Sequence, residues 1–217
     1  MQPEAPLPPY IPGSSDNRTY EVEGRSFRVW RGPDPRALGF GWQGGGRDGD
    51  VVLPDATEPA ILERILAGIA DLPLRRGTEH PVADPTLLAQ IERAMLRAAG
   101  RPPAIERGSN GSRSVAEALL ALPLPPGATR TWQLHGEHQL HVRVGPDGDA
   151  IAYAWKWGSD PGDWLPRTLR ALGVAPERVG GSEMGQRYRV PAAVLGAFAA
   201  RALDHLGARD LRVHDAV

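Results

Sequence analysis

Between Thr19 and Trp42, apolar side chains recur at every second position: Tyr20 and Val22, then Phe27 and Val29, then Leu38, Phe40 and Trp42. A period of two marks a strand with one buried face. Gly24-Arg25 separates the first two runs and reads as a two-residue type II′ turn with glycine first, setting Val22 opposite Phe27 and Tyr20 opposite Val29. The turn-rich RGPDPR (31–36) leads into the third run. These signals predict a three-stranded antiparallel meander.

The pattern returns between Thr131 and Trp155. With Gly136, Glu137 and His138 as a three-residue loop, Leu134 faces Leu140 and Trp132 faces Val142. A two-residue loop would put the apolar faces out of register. Thr19 matches Thr131, Gly24 matches Gly136, Val29 matches Val142, and Gly32-Pro33-Asp34 matches Gly145-Pro146-Asp147. Ala37 matches Ala150, Phe40 matches Tyr153 and Trp42 matches Trp155. The reading is an internal duplication, with Phe40, Tyr153, Ile65 and Phe198 in the core.

Each meander is followed by strand-proline-helix patterning. VVLPDATEPAILERILAGIADL (51–72) carries an Ile61, Leu62, Ile65, Leu66, Ile69 stripe, with Thr57 as its cap. YRVPAAVLGAFAARALDHL (188–206) carries Val194, Leu195, Phe198, Ala202 and Leu206, with Gly207 just beyond. A short helix from Trp164 to Leu172, capped by Asp163 and stopped by Gly173, is extra in the second copy.

Two helices are expected between the copies. Asp84-Pro85 opens one that runs through Leu88, Ile91 and Met95 to Gly100, and Ser114-x-x-Glu117 reads as a capping box opening another. GRPPAIERGSNGSR (100–113) reads as a polar loop between them. The fold class is α+β, with internally duplicated meander-plus-helix units and two linking helices. The expected organisation is a disordered proline-rich tail (1–17), a first repeat (18–76), a helical connector (77–127) and a second repeat (128–217).

Composition narrows the functions. The 217 residues carry a net charge of −1, which provides no global field toward nucleic acid or anionic membrane. Cysteine is absent, excluding disulfides, thiol nucleophiles and thiolate metal sites. No stretch reaches the roughly 18 apolar residues of a membrane span, and the N-terminus lacks a signal-peptide pattern, so a cytoplasmic protein is expected. Lys156 is the only lysine. The dominance of arginine fits a high-GC bacterial genome and favours planar bidentate contacts.

Candidate chemistry is sparse. HGEHQLH (135–141) is the most metal-like segment, with His135 and His141 expected diagonally on the outer strand face. A zinc site would need further ligands, so no metal and no other cofactor is expected. GFGWQGGGRDGD (39–50) has neither the G-K-[ST] of a phosphate loop nor dinucleotide spacing. No G-x-S-x-G elbow occurs, and the carboxylate pairs Asp48/Asp50 and Asp160/Asp163 sit where turns and caps already want them. No catalytic residue is assigned.

The reading that follows is a non-catalytic binding or adaptor protein within a larger cytoplasmic assembly, with protein partners. Its recognition surface is Tyr10 and Ile11 in the tail, with His135, His141, Arg143 and Trp157 on the second meander. The rivals are a small enzyme with its site between the copies and a nucleic-acid-binding accessory protein.

Overall fold

The computed structural model describes residues 6–42, 57–70, 72, 78–124, 127–135, 139–155, 164–182, 185–206 and 210–216. Among them are eleven strands and five helices, a mixed α+β chain in which the strand pairs given below are antiparallel. The chain forms two compact units, residues 1–10 with 15–104 and residues 11–14 with 105–217.

In the first unit β1 (Ser14–Val22), β2 (Arg25–Arg31) and β3 (Leu38–Trp42) form the expected meander, and β4 (Glu79–Pro81) adds beside β3. The first turn is Glu23-Gly24, not Gly24-Arg25, with both residues at positive φ (53° and 75°). That is a type I′ turn, whose twist matches the strands. Tyr20 therefore faces Phe27 and Val22 faces Arg25. The two-residue shift from the expected pairing keeps every side chain on its face. The glycines of β3 answer to close packing: a Cβ on Gly39 would lie 2.1 Å from the Trp30 ring.

Helices α1 (Thr57–Ile65) and α2 (Pro85–Ala99) cover this sheet. The cap read from sequence holds for α2. Asp84 accepts from the Thr86 amide at 2.8 Å, Pro85 opens the helix, and Gly100 closes it at φ 66°. Tyr20, Phe27, Val29 and Phe40 pack with Ile61, Leu62 and Leu66 and with Leu88, Ile91 and Met95. Ile65 is half-buried at the edge of that cluster. The short strand expected at 51–53 lies outside the described residues.

The second unit contains β5 (Ala104–Asn110), α3 (Arg113–Leu120), β6 (Thr129–His135), β7 (Gln139–Val144), β8 (Ala150–Trp155), α4 (Trp164–Ala171), β9 (Glu177–Ser182), β10 (Gly185–Val190), α5 (Ala192–Leu206) and β11 (Asp210–Ala216). Its strand order is β5-β11-β6-β7-β8-β10-β9. Leu134 faces Leu140 and Trp132 faces Val142, as the three-residue loop required. Phe198 is fully buried.

Four expectations need correction. The segment expected as a polar loop contains β5, paired with β11. Its inward positions are Ile105, Arg107 and Ser109, two of them polar, which hid the strand's period. Helix α3 starts at Arg113, with Ser112 as its N-cap, so Ser114 lies inside the first turn and Glu117 pairs instead with Arg113. Tyr153 is not core. Ala150, Ala152 and Ala154 take the inward positions of β8, leaving Tyr153 half-buried on the other face. The tail assignment also fails from residue 6 onward, because β1 begins at Ser14 and residues 8–10 are hydrogen-bonded to the first unit.

The helices expected as a connector divide between the units, α2 packing in the first core and α3 in the second.

Candidate functional site

Buried arginines organise the polar interior, Arg18 in the first unit and Arg107 and Arg130 in the second. Period-two geometry turns Ser14, Asp16, Arg18 and Tyr20 of β1 inward, so this strand delivers a carboxylate and a guanidinium into the core. Arg18 is fully buried. It donates to Asp16 through Nε and Nη2, both at 3.3 Å, and to Glu92 of α2 through Nη1 at 2.5 Å. Its Nη2 also donates to the carbonyls of Pro8 (2.7 Å) and Pro9 (3.2 Å).

Glu92 accepts further from Tyr20 Oη at 2.7 Å and from Tyr10 Oη at 2.9 Å. The Tyr10 ring lies between two guanidinia, with Arg18 Cζ 3.6 Å and Arg31 Cζ 3.9 Å from its centroid. Burial raises the Tyr10 phenol pKa above its usual range, and Glu92 adds to this against the opposing effect of Arg18. The Tyr20 phenol is raised for the same two reasons, burial first and Glu92 second. Burial works against the Arg18 charge, but Asp16 and Glu92 outweigh it and hold the group cationic.

Chemically the cluster is closed. Glu92 accepts three hydrogen bonds from its own chain, and both tyrosines remain neutral donors. Such a carboxylate is poorly placed to take a substrate proton. What the cluster does hold is the chain segment Pro8–Tyr10.

In the second unit Arg130 of β6 grips Asp215 of β11 bidentately (2.6 and 2.8 Å), and Arg107 of β5 adds a bond to the same carboxylate at 3.0 Å. Arg130 also donates to the carbonyls of Leu122 (2.5 Å) and Pro123 (3.4 Å). Beside it opens a cavity of about 420 Å³, bordered by Trp132, Val144 and Leu124 and by Leu195, Gly196 and Ala199 of α5.

The outer face of this sheet carries the exposed polar groups. Register aligns Gln133, His141, Tyr153 and Arg187 in one row across β6, β7, β8 and β10. His141 and Tyr153 stack with centroids 4.7 Å apart and planes 3° from parallel. Arg187 lies 5.5 Å from the Tyr153 ring. Arg143 is exposed in the next row. The rings face each other, so they do not present a flat platform to a nucleic-acid base.

The residues proposed from sequence fall in different places. His141 and Arg143 share the outer face. Tyr10 is half-buried and hydrogen-bonded to Glu92 in the first unit, and Ile11 packs at the edge of the second unit's core. Trp157 and the side chain of His135 lie outside the described structure, as do Asp48, Asp50, Asp160 and Asp163. Among the described residues, no three His, Asp or Glu side chains cluster as metal ligands would. No described helix is long and apolar enough to cross a membrane. Sequence reasoning missed Arg18, Glu92, Arg130 and Asp215. The alternation of Ser14, Asp16, Arg18 and Tyr20 was the available signal for the first of these. Comparison with protein-family models, curated proteins and solved structures returns no match.

Proposed function

We propose that the chain is a non-catalytic binding or adaptor protein built from two copies of one meander-and-helix unit, with the second copy carrying the recognition surface. Support for the duplication comes from order and register. Each meander is followed by a helix, a strand beside its third strand, and a 15-residue helix, α2 in one case and α5 in the other. A PLPP tetrapeptide precedes each meander, at 6–9 and 123–126. Rows Asp16–Arg31–Leu38 and Arg18–Val29–Phe40 cross the first meander, and rows Arg130–Val144–Ala150 and Trp132–Val142–Ala152 cross the second in the same strand sequence.

The observation carrying the binding reading is the His141–Tyr153–Arg187 row with Arg143 beside it. An aromatic pair flanked by arginines suits an acidic segment of a protein partner, for which guanidinia supply charge-assisted bonds. The buried carboxylates, by contrast, are occupied by arginine and tyrosine donors.

The test is affinity capture from native-host lysate with immobilised wild type and the variant Arg143→Ala/Tyr153→Ala. The variant is expected to melt within a few degrees of wild type and to lose the captured partner. Equal yields from both proteins would sink the proposed surface. Salt-sensitive retention of an oligonucleotide, with no protein captured, would favour the nucleic-acid reading instead.

A further inference from the structure

The glycines of β3 leave room on the outer face of the first sheet, and one large side chain uses it. Phe27 and Val29 turn inward onto the helices, as do Asp16 and Arg18, so alternation points Trp30 and Asn17 the other way. Asn17, Trp30 and Gly39 share one register row. A Cβ on Gly39 would lie 2.1, 2.5 and 2.8 Å from Cζ2, Cε2 and Cη2 of the Trp30 ring. Approach to the ring edge would push the two flanking atoms farther out than this, so the point lies under the ring face. The indole is therefore laid flat on the strand, with Gly39 beneath it and its other face turned away from the sheet. Glycine inside a strand forgoes packing and marks a close approach. Here the approach is that of a planar ring.

The next row is Arg28, Gly41 and Glu79. Arg28 spans the glycine to donate to Glu79 at 2.8 Å, and its Cζ lies 5.3 Å from the Trp30 ring centroid. That pairing leaves Arg28 further N–H donors and Glu79 a second carboxylate oxygen. Asn17, Arg28, Trp30 and Glu79, with Ser15 and Gly32, border a pocket of about 290 Å³. Asn17 Oδ1 is covered yet has no hydrogen-bond partner among the described residues, an exception to the satisfaction of buried polar atoms. The last torsion of asparagine is soft, so a small rotation turns this acceptor to the pocket.

We infer that this pocket binds a neutral sugar, a glucose-type pyranose ring with equatorial hydroxyls. Such a ring carries its C–H bonds on its faces and its hydroxyls round its edge. The C–H bonds meet the negative face of the indole. The edge meets groups that donate and accept side by side: the Asn17 amide, the Arg28 guanidinium and the Glu79 carboxylate. Other small ligands fit less well. Arg28 beside the ring repels a quaternary ammonium, which also wants several aromatic walls, and Trp30 is the one aromatic among the described residues that line the pocket. Arg28 and Arg31 are balanced there by Asp16 and Glu79, so a phosphate meets no net positive field. The volume lies at the small end of ligand sites and suits a single ring. This site is independent of the partner surface proposed for the second unit.

The test is a titration of the ¹⁵N-labelled full chain with methyl β-D-glucopyranoside, followed at the Trp30 indole, the Asn17 side-chain amide and the Arg28 Nε. Saturable shifts at all three are expected, with none from glycerol or tetramethylammonium at the same concentration. Asn17→Ala should bind about tenfold more weakly at the Trp30 indole. It should melt within a few degrees of wild type, because the acceptor it removes has no partner to lose. Trp30→Leu should abolish the shift at Asn17 while keeping a dispersed amide spectrum. Glu79→Gln, at an exposed side chain, should also weaken binding and keeps the test readable if Trp30→Leu fails to fold. The inference is overturned if the glucoside gives no saturable shift at the Trp30 indole, or if adenosine binds there more tightly. It is equally overturned if Asn17→Ala and Glu79→Gln bind as well as wild type. The Arg143→Ala/Tyr153→Ala variant should bind the glucoside normally, so failure of the partner surface and failure of the sugar site are read separately.

Discussion

Replacing Glu92 with alanine tests whether the buried network of the first unit is structural. The side chain is fully buried and accepts from Arg18 at 2.5 Å, Tyr20 at 2.7 Å and Tyr10 at 2.9 Å. Removing it leaves Arg18 with Asp16 as its only remaining carboxylate in the cluster and takes the acceptor from two phenols. Breaking a buried pair by deleting one partner costs about 3–5 kcal/mol. Each orphaned donor adds roughly 1–3 kcal/mol where it cannot relax. The contributions share one site and do not add, so about 4 kcal/mol is a fair centre. If a chain of this length melts as one transition, at about 2–4 °C per kcal/mol, the midpoint falls by roughly 8–16 °C. The assay is thermal unfolding followed by circular dichroism. Glu117→Gln serves as the control, because it breaks only the exposed i,i+4 pair with Arg113 and should shift stability by less than about 0.5 kcal/mol. A Glu92→Ala midpoint indistinguishable from that of the control would refute the reasoning.

Alkaline pH should weaken the first unit. Tyr10 and Tyr20 have folded pKa values raised above their unfolded value of about 10, so their contribution is complete below that pH and is lost as pH rises toward the folded values. Urea midpoints should drop as pH rises above about 10, less steeply in Tyr20→Phe, and parallel curves for the two proteins would contradict this. Gly196→Ala should raise stability by about 1 kcal/mol, because its Cβ meets open space; a lower urea midpoint would show the site to be crowded. Phe40→Ala should cost roughly 3–5 kcal/mol, and Tyr153→Ala far less, since only Phe40 is fully buried. Equal losses by thermal melting would mean that the two faces of β8 are misassigned.

The meanders were legible because their inward residues are apolar. Tyr20, Phe27, Val29, Trp132, Leu134, Leu140 and Val142 all fall on the inner face that period two predicts. The reading stalled where inward positions are polar. Ser14, Asp16 and Arg18 made the start of β1 look like a tail, and Arg107 and Ser109 made β5 look like a loop. β11 was passed over for the same reason, with Asp215 among its inward positions. In each case a partner distant in sequence makes the polar residue tolerable: Glu92 for Arg18, and Asp215 for Arg107 and Arg130. Local periodicity has no access to such pairs. The candidate site was therefore the least legible part of the chain, because its residues break the pattern used to find the strands.

The outer face proposed for recognition differs from that of the first meander through a single turn. After Gly32-Pro33-Asp34 the first unit closes its turn between the Gly32 amide and the Ala37 carbonyl at 2.6 Å. After Gly145-Pro146-Asp147 the second closes one residue sooner, between the Gly145 amide and the Asp149 carbonyl at 2.9 Å, with Gly148 at φ 86°. Few residues other than glycine accept that conformation at low cost. Shortening the connection by one inverts the strand that follows. Phe40 points into the first core, while Tyr153, its match in sequence, points outward to stack on His141. Trp164 and Phe198 of the helices belong to the same core cluster as Ala150, Ala152 and Ala154, with their ring centroids 6.2 Å apart. A one-residue difference between the two turns thus accompanies an aromatic residue on the core side of one third strand and on the outer side of the other. By this route two meanders of similar pattern come to present different outer faces.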